Sequence, residues 1–106
     1  MSLLPSYRIN ESALVDVEKA LMHQEIVMKC TKEKYLQSDK VTMYEEWEVK
    51  TKEGIRLIMW GQHPAERLAN STSINLTFST PDGKRGIKLL DLTEKTVTQF
   101  GGQKIS

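Results

Sequence analysis

The residue that poses the first chemical question is Glu45. In the stretch VTMYEEWEVK, residues 41–50, a β-strand would place alternate side chains on opposite faces. A carboxylate on an apolar face is costly to bury unless it is paired. Glu45 is therefore either a functional group held in a pocket or a charge near the end of a strand that reaches water. The apolar residues that would share its face are Val41, Met43, Trp47 and Val49.

The register of the next strand decides which residues lie near Glu45. A slip of one residue moves every side chain to the other face of a sheet. A three-residue hairpin loop that ends at Gly54, with this glycine in the left-handed conformation, pairs Trp47 with Met59, apolar on apolar. In this register Glu45 lies opposite Gly61.

This register predicts a small polar cluster at one end of the sheet. The loop after the strand brings His63 and Arg67 towards Glu45. One interpretation makes Glu45 and His63 the polar groups of a small enzyme or enzyme-like pocket. The other leaves Glu45 at the rim, in water or paired with Arg67, and we favour it because burial of a carboxylate is costly. The candidate pocket residues are Glu45, Trp47, Met59, His63 and Arg67.

The remaining chemistry-bearing residues lack the spacing of known sites. Cys30, His23 and His63 are scattered, with neither paired cysteines nor a His-x-x-x-His spacing, so we expect no metal ion and no cofactor. The chain has no Gly-x-Ser-x-Gly segment and no phosphate-binding glycine loop. We therefore assign no catalytic residue, and an enzyme is the less favoured class.

An aromatic side chain falls on the face of the sheet that should be wet. In the register above, Trp60 and Ile58 share a face with Tyr44 and several charged residues. Because Trp and Tyr are enriched at protein interfaces, Tyr44, Ile58 and Trp60 are the candidate interface residues. Alternatively the N-terminal segment covers Trp60, and in a homodimer both interpretations hold. The apolar residues of that segment are Leu3, Leu4 and Tyr7.

The charge balance argues against nucleic acid as a partner. The chain has 15 basic and 14 acidic residues and a formal charge of +1, so it lacks the broad positive field of a nonspecific nucleic-acid binder. Lys84, Arg85 and Lys88 crowd one predicted hairpin and would suit single-stranded nucleic acid, where bases stack on aromatic rings. Glu46 and Glu48 share the aromatic face, however, and would repel phosphate.

One helix and a sheet must position these residues. Asn10 or Ser12 can cap a helix whose apolar residues repeat at three- and four-residue spacing. Beyond it, alternation and turn residues predict successive strands. Pro64 favours a short helix at 64–69. The apolar stripe of the first helix consists of Ala13, Leu14, Val17, Ala20 and Leu21, and the predicted strands span 25–36, 41–51, 55–61, 72–80, 85–92 and 96–100.

These elements predict an α+β fold, in which one N-terminal amphipathic helix packs on a curved antiparallel sheet of five to six meander strands. With 106 residues the chain fits one domain, 1–106, with an extended arm at 1–9 and a frayed tail at 101–106. A single cysteine, Cys30, suits a reducing compartment. Because the first residues do not read as a secretory signal and no apolar stretch is long enough to cross a membrane, we expect a cytoplasmic protein.

The function expected from the sequence is that of a small noncatalytic interaction or small-ligand-binding domain with its contact surface on the sheet. The expected partner is a protein or a second copy of the chain. Two alternatives stay open. One is a small enzyme or enzyme-like pocket that uses Glu45 and His63, and the other is single-stranded nucleic-acid binding through the 84–88 hairpin.

Overall fold

The computed structural model describes residues 4–36, 43–63 and 73–105. Within them the chain forms two α-helices and six strands, so the α+β class is confirmed. Short 3₁₀ turns at Glu11–Ala13 and Gly83–Gly86 lead directly into the two helices. The helices are α1 (Leu14–Met22) and α2 (Ile87–Gln99), and the strands are β1 (Ser6–Asn10), β2 (Val27–Leu36), β3 (Met43–Lys50), β4 (Arg56–His63), β5 (Ser73–Ser79) and β6 (Gln103–Lys104).

The strands form one antiparallel sheet in the order β2-β3-β4-β5-β1-β6. Strands β2 to β5 follow one another as a meander, and β1 pairs with the far side of β5. The predicted register between β3 and β4 is confirmed, with Trp47 opposite Met59 and Glu45 opposite Gly61. Gly54 ends their connecting loop with φ of 88°, the left-handed conformation that the three-residue loop requires.

One face of the sheet carries the core, and neither of the two described helices covers the other face. Burial alternates strictly along β4, because successive side chains of a strand point to opposite faces. Both helices contribute to the core that covers the inner face, α1 through Leu14, Val17 and Leu21. We call the uncovered side the open face. The fully buried aliphatic side chains of the core include Ile9, Leu21, Leu57, Ile74 and Leu76.

The segment predicted as two strands at 85–92 and 96–100 is instead the helix α2, and the prediction was wrong. Leu89 and Leu90 are both buried, which a strand with one covered face does not allow but a helical stripe does. Buried Thr93 lies on the same stripe, and its hydroxyl donates to the carbonyl oxygen of Leu89 at 2.8 Å. This hydrogen bond satisfies the buried Thr93 hydroxyl inside the helix. Ile87, at the start of α2, is 43% exposed, although the predicted strand placed it among the apolar residues.

The two ends of the described chain also differ from expectation. Part of the expected N-terminal arm is the strand β1, so that α1 follows a strand, and Tyr7 and Ile9 are buried in the core. The expected frayed tail contains β6, which pairs Gln103 and Lys104 with Arg8 and Tyr7. Asn10 caps the first 3₁₀ turn as predicted, since its Oδ1 accepts from the backbone N–H of Ser12 at 3.0 Å. The helix predicted at 64–69 lies outside the described residues.

Gly61 is required by close packing on the inner face. A Cβ atom at this position would lie within contact of Ile74 Cδ1 and only 2.8 Å from the indole ring of Trp47. The Trp47 ring therefore occupies the space above Gly61, and neither neighbour is free to move because both belong to the core.

We predict that Gly61→Ala lowers the free energy of unfolding by about 1–3 kcal/mol, since overpacking a filled core forces its neighbours to shift. Urea unfolding of the purified variant measures this loss. Gln62→Ala is the matched control, because Gln62 is the next residue on β4 and faces the open side. Equal stability of Gly61→Ala and wild type would show that the Trp47 ring does not fill this space.

Candidate functional site

Glu45 and His63 form a buried pair at one end of the sheet. Glu45 lies opposite Gly61, and His63 is two residues further along β4 on the same face, so the two side chains are diagonal neighbours. Glu45 Oε1 is 3.3 Å from His63 Nε2. Glu45 is 8% exposed and His63 is 2% exposed. The expectation that Glu45 reaches water at the rim is therefore wrong, because its face is covered at this end as well.

A second carboxylate joins this pair from a distant part of the sequence. The first 3₁₀ turn follows β1 directly and begins with Glu11. One carboxylate oxygen of Glu11, one of Glu45 and a ring nitrogen of His63 all lie within 4.8 Å of one another. We call these three residues the carboxylate–histidine cluster. Sequence reasoning missed Glu11, since only the pairing of β1 beside β5 brings it here.

The Nε2 nitrogen of His63 has no hydrogen-bond partner among the described residues. Nε2 is close enough to Glu45 for an ion pair, yet the alignment of the two groups does not satisfy a hydrogen bond, and no other described group replaces it. The lack of alignment outweighs the short distance between Nε2 and Glu45, because a short distance without alignment gives only a weak hydrogen bond. A buried polar nitrogen without a partner is costly and calls for an explanation, such as a bound ion.

The other predicted pocket residues occupy different roles. Trp47 and Met59 lie on the same face as Glu45, but both are part of the packed core. Among the described residues, they therefore fill the core on the inner face and do not line an open cavity. Arg67 lies outside the described residues, so its predicted pairing with Glu45 stays a prediction.

Cys30 does not have the properties of a nucleophile. It is an exposed free thiol on β2. Partial burial, together with the negative charges of Glu45 and Glu33, raises the pKa of its thiol. Since the thiolate is the reactive form, these surroundings disfavour nucleophilic chemistry at neutral pH.

The open face carries the predicted interface residues. Trp60, Ile58 and Tyr44 are all half-buried on this face, the first two within β4 and Tyr44 near the start of β3. The indole N–H of Trp60 donates to Glu46 Oε1 at 2.8 Å. The other carboxylate oxygen of Glu46 accepts from the hydroxyl of Thr31 at 2.7 Å. Trp60 is therefore held in one orientation by a chain of two hydrogen bonds.

A further aromatic residue extends this surface towards the edge strand. The rings of Tyr35 and Tyr44 are 6.4 Å apart at their centroids, on paired positions of β2 and β3. The ammonium group of Lys32 lies 5.9 Å from the centre of the Tyr35 ring, within cation–π range. Sequence analysis did not single out Tyr35, because an irregularity in the pairing of β2 changes the alternation beyond Cys30.

The N-terminal segment does not cover Trp60 in the part that the structure describes. Tyr7 lies on the inner face and donates to Glu94 of α2 at 2.8 Å. Leu4 packs against the core. Leu3 lies outside the described residues. The two residues that can be located, Leu4 and Tyr7, pack on the inner face and do not shield Trp60.

The basic hairpin expected at 84–88 does not exist. Lys84 and Arg85 are exposed in the second 3₁₀ turn, and Lys88 is exposed at the start of α2. Asp82, just before them, is engaged with Arg56, whose backbone N–H donates to Asp82 Oδ2 at 2.8 Å. The premise of single-stranded nucleic-acid binding through this hairpin is thus wrong.

A groove of about 530 Å³ lies between β1 and α2 and opens widely to solvent. It contains none of the predicted site residues, and its walls are polar and charged. The lining residues are Tyr7, Asp91, Glu94, Lys95, Thr98 and Gln99.

Comparison of the chain with family models, with curated proteins and with solved structures finds no match. No helix of the described residues is both long enough and apolar enough to cross a membrane. Function is therefore inferred from the geometry alone.

Hydrogen bonds make Glu46 a charged and fixed group. The bond from Thr31, then the bond from Trp60 and the charge of Lys32, hold the pKa of Glu46 below its ordinary value of 4.5. Because the folded-state pKa is the lower one, the stabilisation is complete above the ordinary value and is lost as pH falls through the folded-state pKa.

We predict that Glu46→Gln destabilises the fold by about 1 kcal/mol at pH 7, a modest value because the side chain is half exposed. The difference from wild type should shrink at pH 3, where the wild-type carboxyl also loses its charge. Urea unfolding at both pH values measures this, with Glu48→Gln as control for loss of a carboxylate from the same strand face. A difference that stays constant with pH would contradict the assigned role of the charge.

Proposed function

We propose that the chain is a noncatalytic interaction domain that binds a protein partner through the open face of its sheet. The observation that carries this proposal is the fixed orientation of Trp60 at the centre of that face. A tryptophan that is already ordered loses little side-chain freedom on binding, so more of its contact energy appears as affinity. Trp is also enriched among the residues that dominate interface energetics.

The arrangement of the helices supports the same surface. The buried residues of α1 and α2 belong to the core on the inner face, and along β3 and β4 the side chains of the open face are exposed or only half-buried. Tyr44 and Ile58 extend the apolar area around Trp60. Such an aromatic centre with a polar surround is the usual composition of a protein interface.

The charges around Trp60 favour a polypeptide over nucleic acid. Lys50 and Arg56 lie on the open face with Glu46 and Glu48, so both signs alternate over a short distance. A phosphate backbone would meet repulsive carboxylates in this pattern, whereas a protein surface of mixed charge meets complementary groups.

A second copy of the chain is the partner to test first, because the open face provides both the aromatic residues and the mixed charges that a symmetric contact needs. The proposed compartment is the cytoplasm, since the exposed thiol of Cys30 is free and suits a reducing environment.

We predict that the double substitution Trp60→Ala with Ile58→Ala weakens self-association at least about tenfold, as loss of a central interface residue costs about 2 kcal/mol or more. Sedimentation equilibrium over a range of concentrations measures the dimer dissociation constant. The matched control is Met22→Ala with Val15→Ala, which removes apolar groups that are 59% and 54% exposed on α1.

Circular dichroism confirms that each variant is folded before association is compared. If the open-face variant associates as strongly as wild type, or the α1 variant loses association equally, the open face is not the self-association surface. If wild type is monomeric, photo-crosslinking from position 58 tests for another protein partner, with position 22 as the control site. Equal crosslinking from both positions would count against the proposal.

The carboxylate–histidine cluster supports a second candidate function, a small enzyme or enzyme-like pocket. A buried Glu45 beside His63 is a pair suited to proton transfer. It ranks below the interaction function because the groove between β1 and α2, about 530 Å³ in volume, is lined by none of the three cluster residues.

A further inference from the structure

We propose that Glu11, Glu45 and His63 bind a divalent transition-metal ion. This site lies on the covered inner face, so it goes beyond the interaction function proposed for the open face and does not depend on it. Three observations carry it: the spacing of the three ligand atoms, the chemistry of the donor set, and the buried ring nitrogen without a partner.

The spacing fits a coordination sphere. Metal ligands at ~2.0–2.2 Å from an ion in a tetrahedral site lie ~3.3–3.6 Å from each other. Glu45 Oε1 and His63 Nε2 are 3.3 Å apart. The Glu11 oxygen lies within 4.8 Å of both, so the three ligand atoms surround one position.

The donor set defines the class of ion. Two carboxylates and one imidazole suit Zn²⁺ and the neighbouring divalent ions Mn²⁺, Fe²⁺ and Co²⁺. The absence of a thiolate from the three ligands argues against copper(I), and the imidazole argues against Mg²⁺ or Ca²⁺ as the preferred ion. Three protein ligands also leave at least one coordination position for water or another molecule.

The energetics of the buried groups support an ion at this position. Glu45 is nearly inaccessible to water, and no lysine or arginine among residues 4–36, 43–63 and 73–105 pairs with it. His63 Nε2 is fully enclosed, and no described group forms a hydrogen bond with it. A divalent ion would accept the nitrogen lone pair of His63 and compensate the charge of Glu45, which removes both costs.

The site would also join distant elements of the fold. Glu11 begins the turn that leads from β1 into α1, while the other two ligands come from the central strands β3 and β4. An ion bound to all three stabilises the folded state, since the unfolded chain does not hold these ligands together.

The test is ion binding by the intact chain after treatment with a chelator. Zn²⁺ affinity is measured by competition with a chromophoric chelator, and Co²⁺ is used as a spectroscopic probe of ligand number and geometry. We expect one ion per chain, a rise in melting temperature with Zn²⁺, and Co²⁺ absorption typical of low-symmetry coordination. Glu11→Gln, Glu45→Gln and His63→Gln should each weaken Zn²⁺ binding at least about tenfold.

Two matched controls separate this site from adventitious binding. His23→Gln removes the exposed histidine after α1, and Glu48→Gln removes a carboxylate from the open face of β3. Both should bind Zn²⁺ as wild type does. Glu11→Gln is the decisive variant, because Glu11 is only partly buried and its replacement leaves the core intact.

Several outcomes would overturn the proposal. Wild-type binding no tighter than millimolar would do so, as would an equal loss of binding in the His23→Gln control. Unchanged binding by a folded Glu11→Gln variant would remove the three-ligand assignment. If the buried variants fail to fold, the Co²⁺ spectrum of Glu11→Gln decides alone, since loss of one ligand must change it while a merely structural role for Glu11 would not.

Discussion

The antiparallel pairing of β1 with β5 is the interaction on which the rest of the structure depends. It extends over five residue pairs, from Ser6 opposite Thr77 to Asn10 opposite Ser73. The pairing buries Tyr7 against the helices and fixes where α1 begins. It also places Glu11 at the end of the sheet where Glu45 lies, and it positions β1 to pair with β6. Without it β5 would be an unprotected edge strand.

The sequence predicts well those parts of the fold that depend on contacts between elements adjacent in the chain. The β3–β4 register follows from matching Trp47 with Met59 across a loop with a left-handed Gly54, and the structure agrees. Strand β1 and helix α2 were not predicted, for different reasons. Residues 6–10 are too few to show a clear period, and only a distant partner orders them. The α2 segment did contain the helical signal, two adjacent buried leucines, but its alternating apolar residues also fit a strand.

The candidate sites divide along the same line. The meeting of Glu45 with His63 follows from the β3–β4 register, and Trp60 follows from the alternation of side chains, so both were predictable. Glu11 was not, because its approach depends on long-range pairing that no local pattern encodes. The burial of Glu45 was also not predicted. The free-energy cost of burying a carboxylate depends on its partners, and one of the neighbours of Glu45, Glu11, was not known from the sequence.

Adjacent glutamates on β3 show how the two faces impose different demands on the same chemical group. Glu46 faces the open side, where hydrogen bonds from Thr31 and Trp60 satisfy its oxygens and water can reach it. The nearby charge of Lys32 adds to this stabilisation of the carboxylate. Glu45, one residue earlier, faces the covered side, where its described partner is an imidazole that is not aligned to donate. Because one face of the sheet is wet and the other dry, a step of one residue separates a carboxylate satisfied by hydrogen bonds and a nearby lysine from one whose burial the proposed cation would explain.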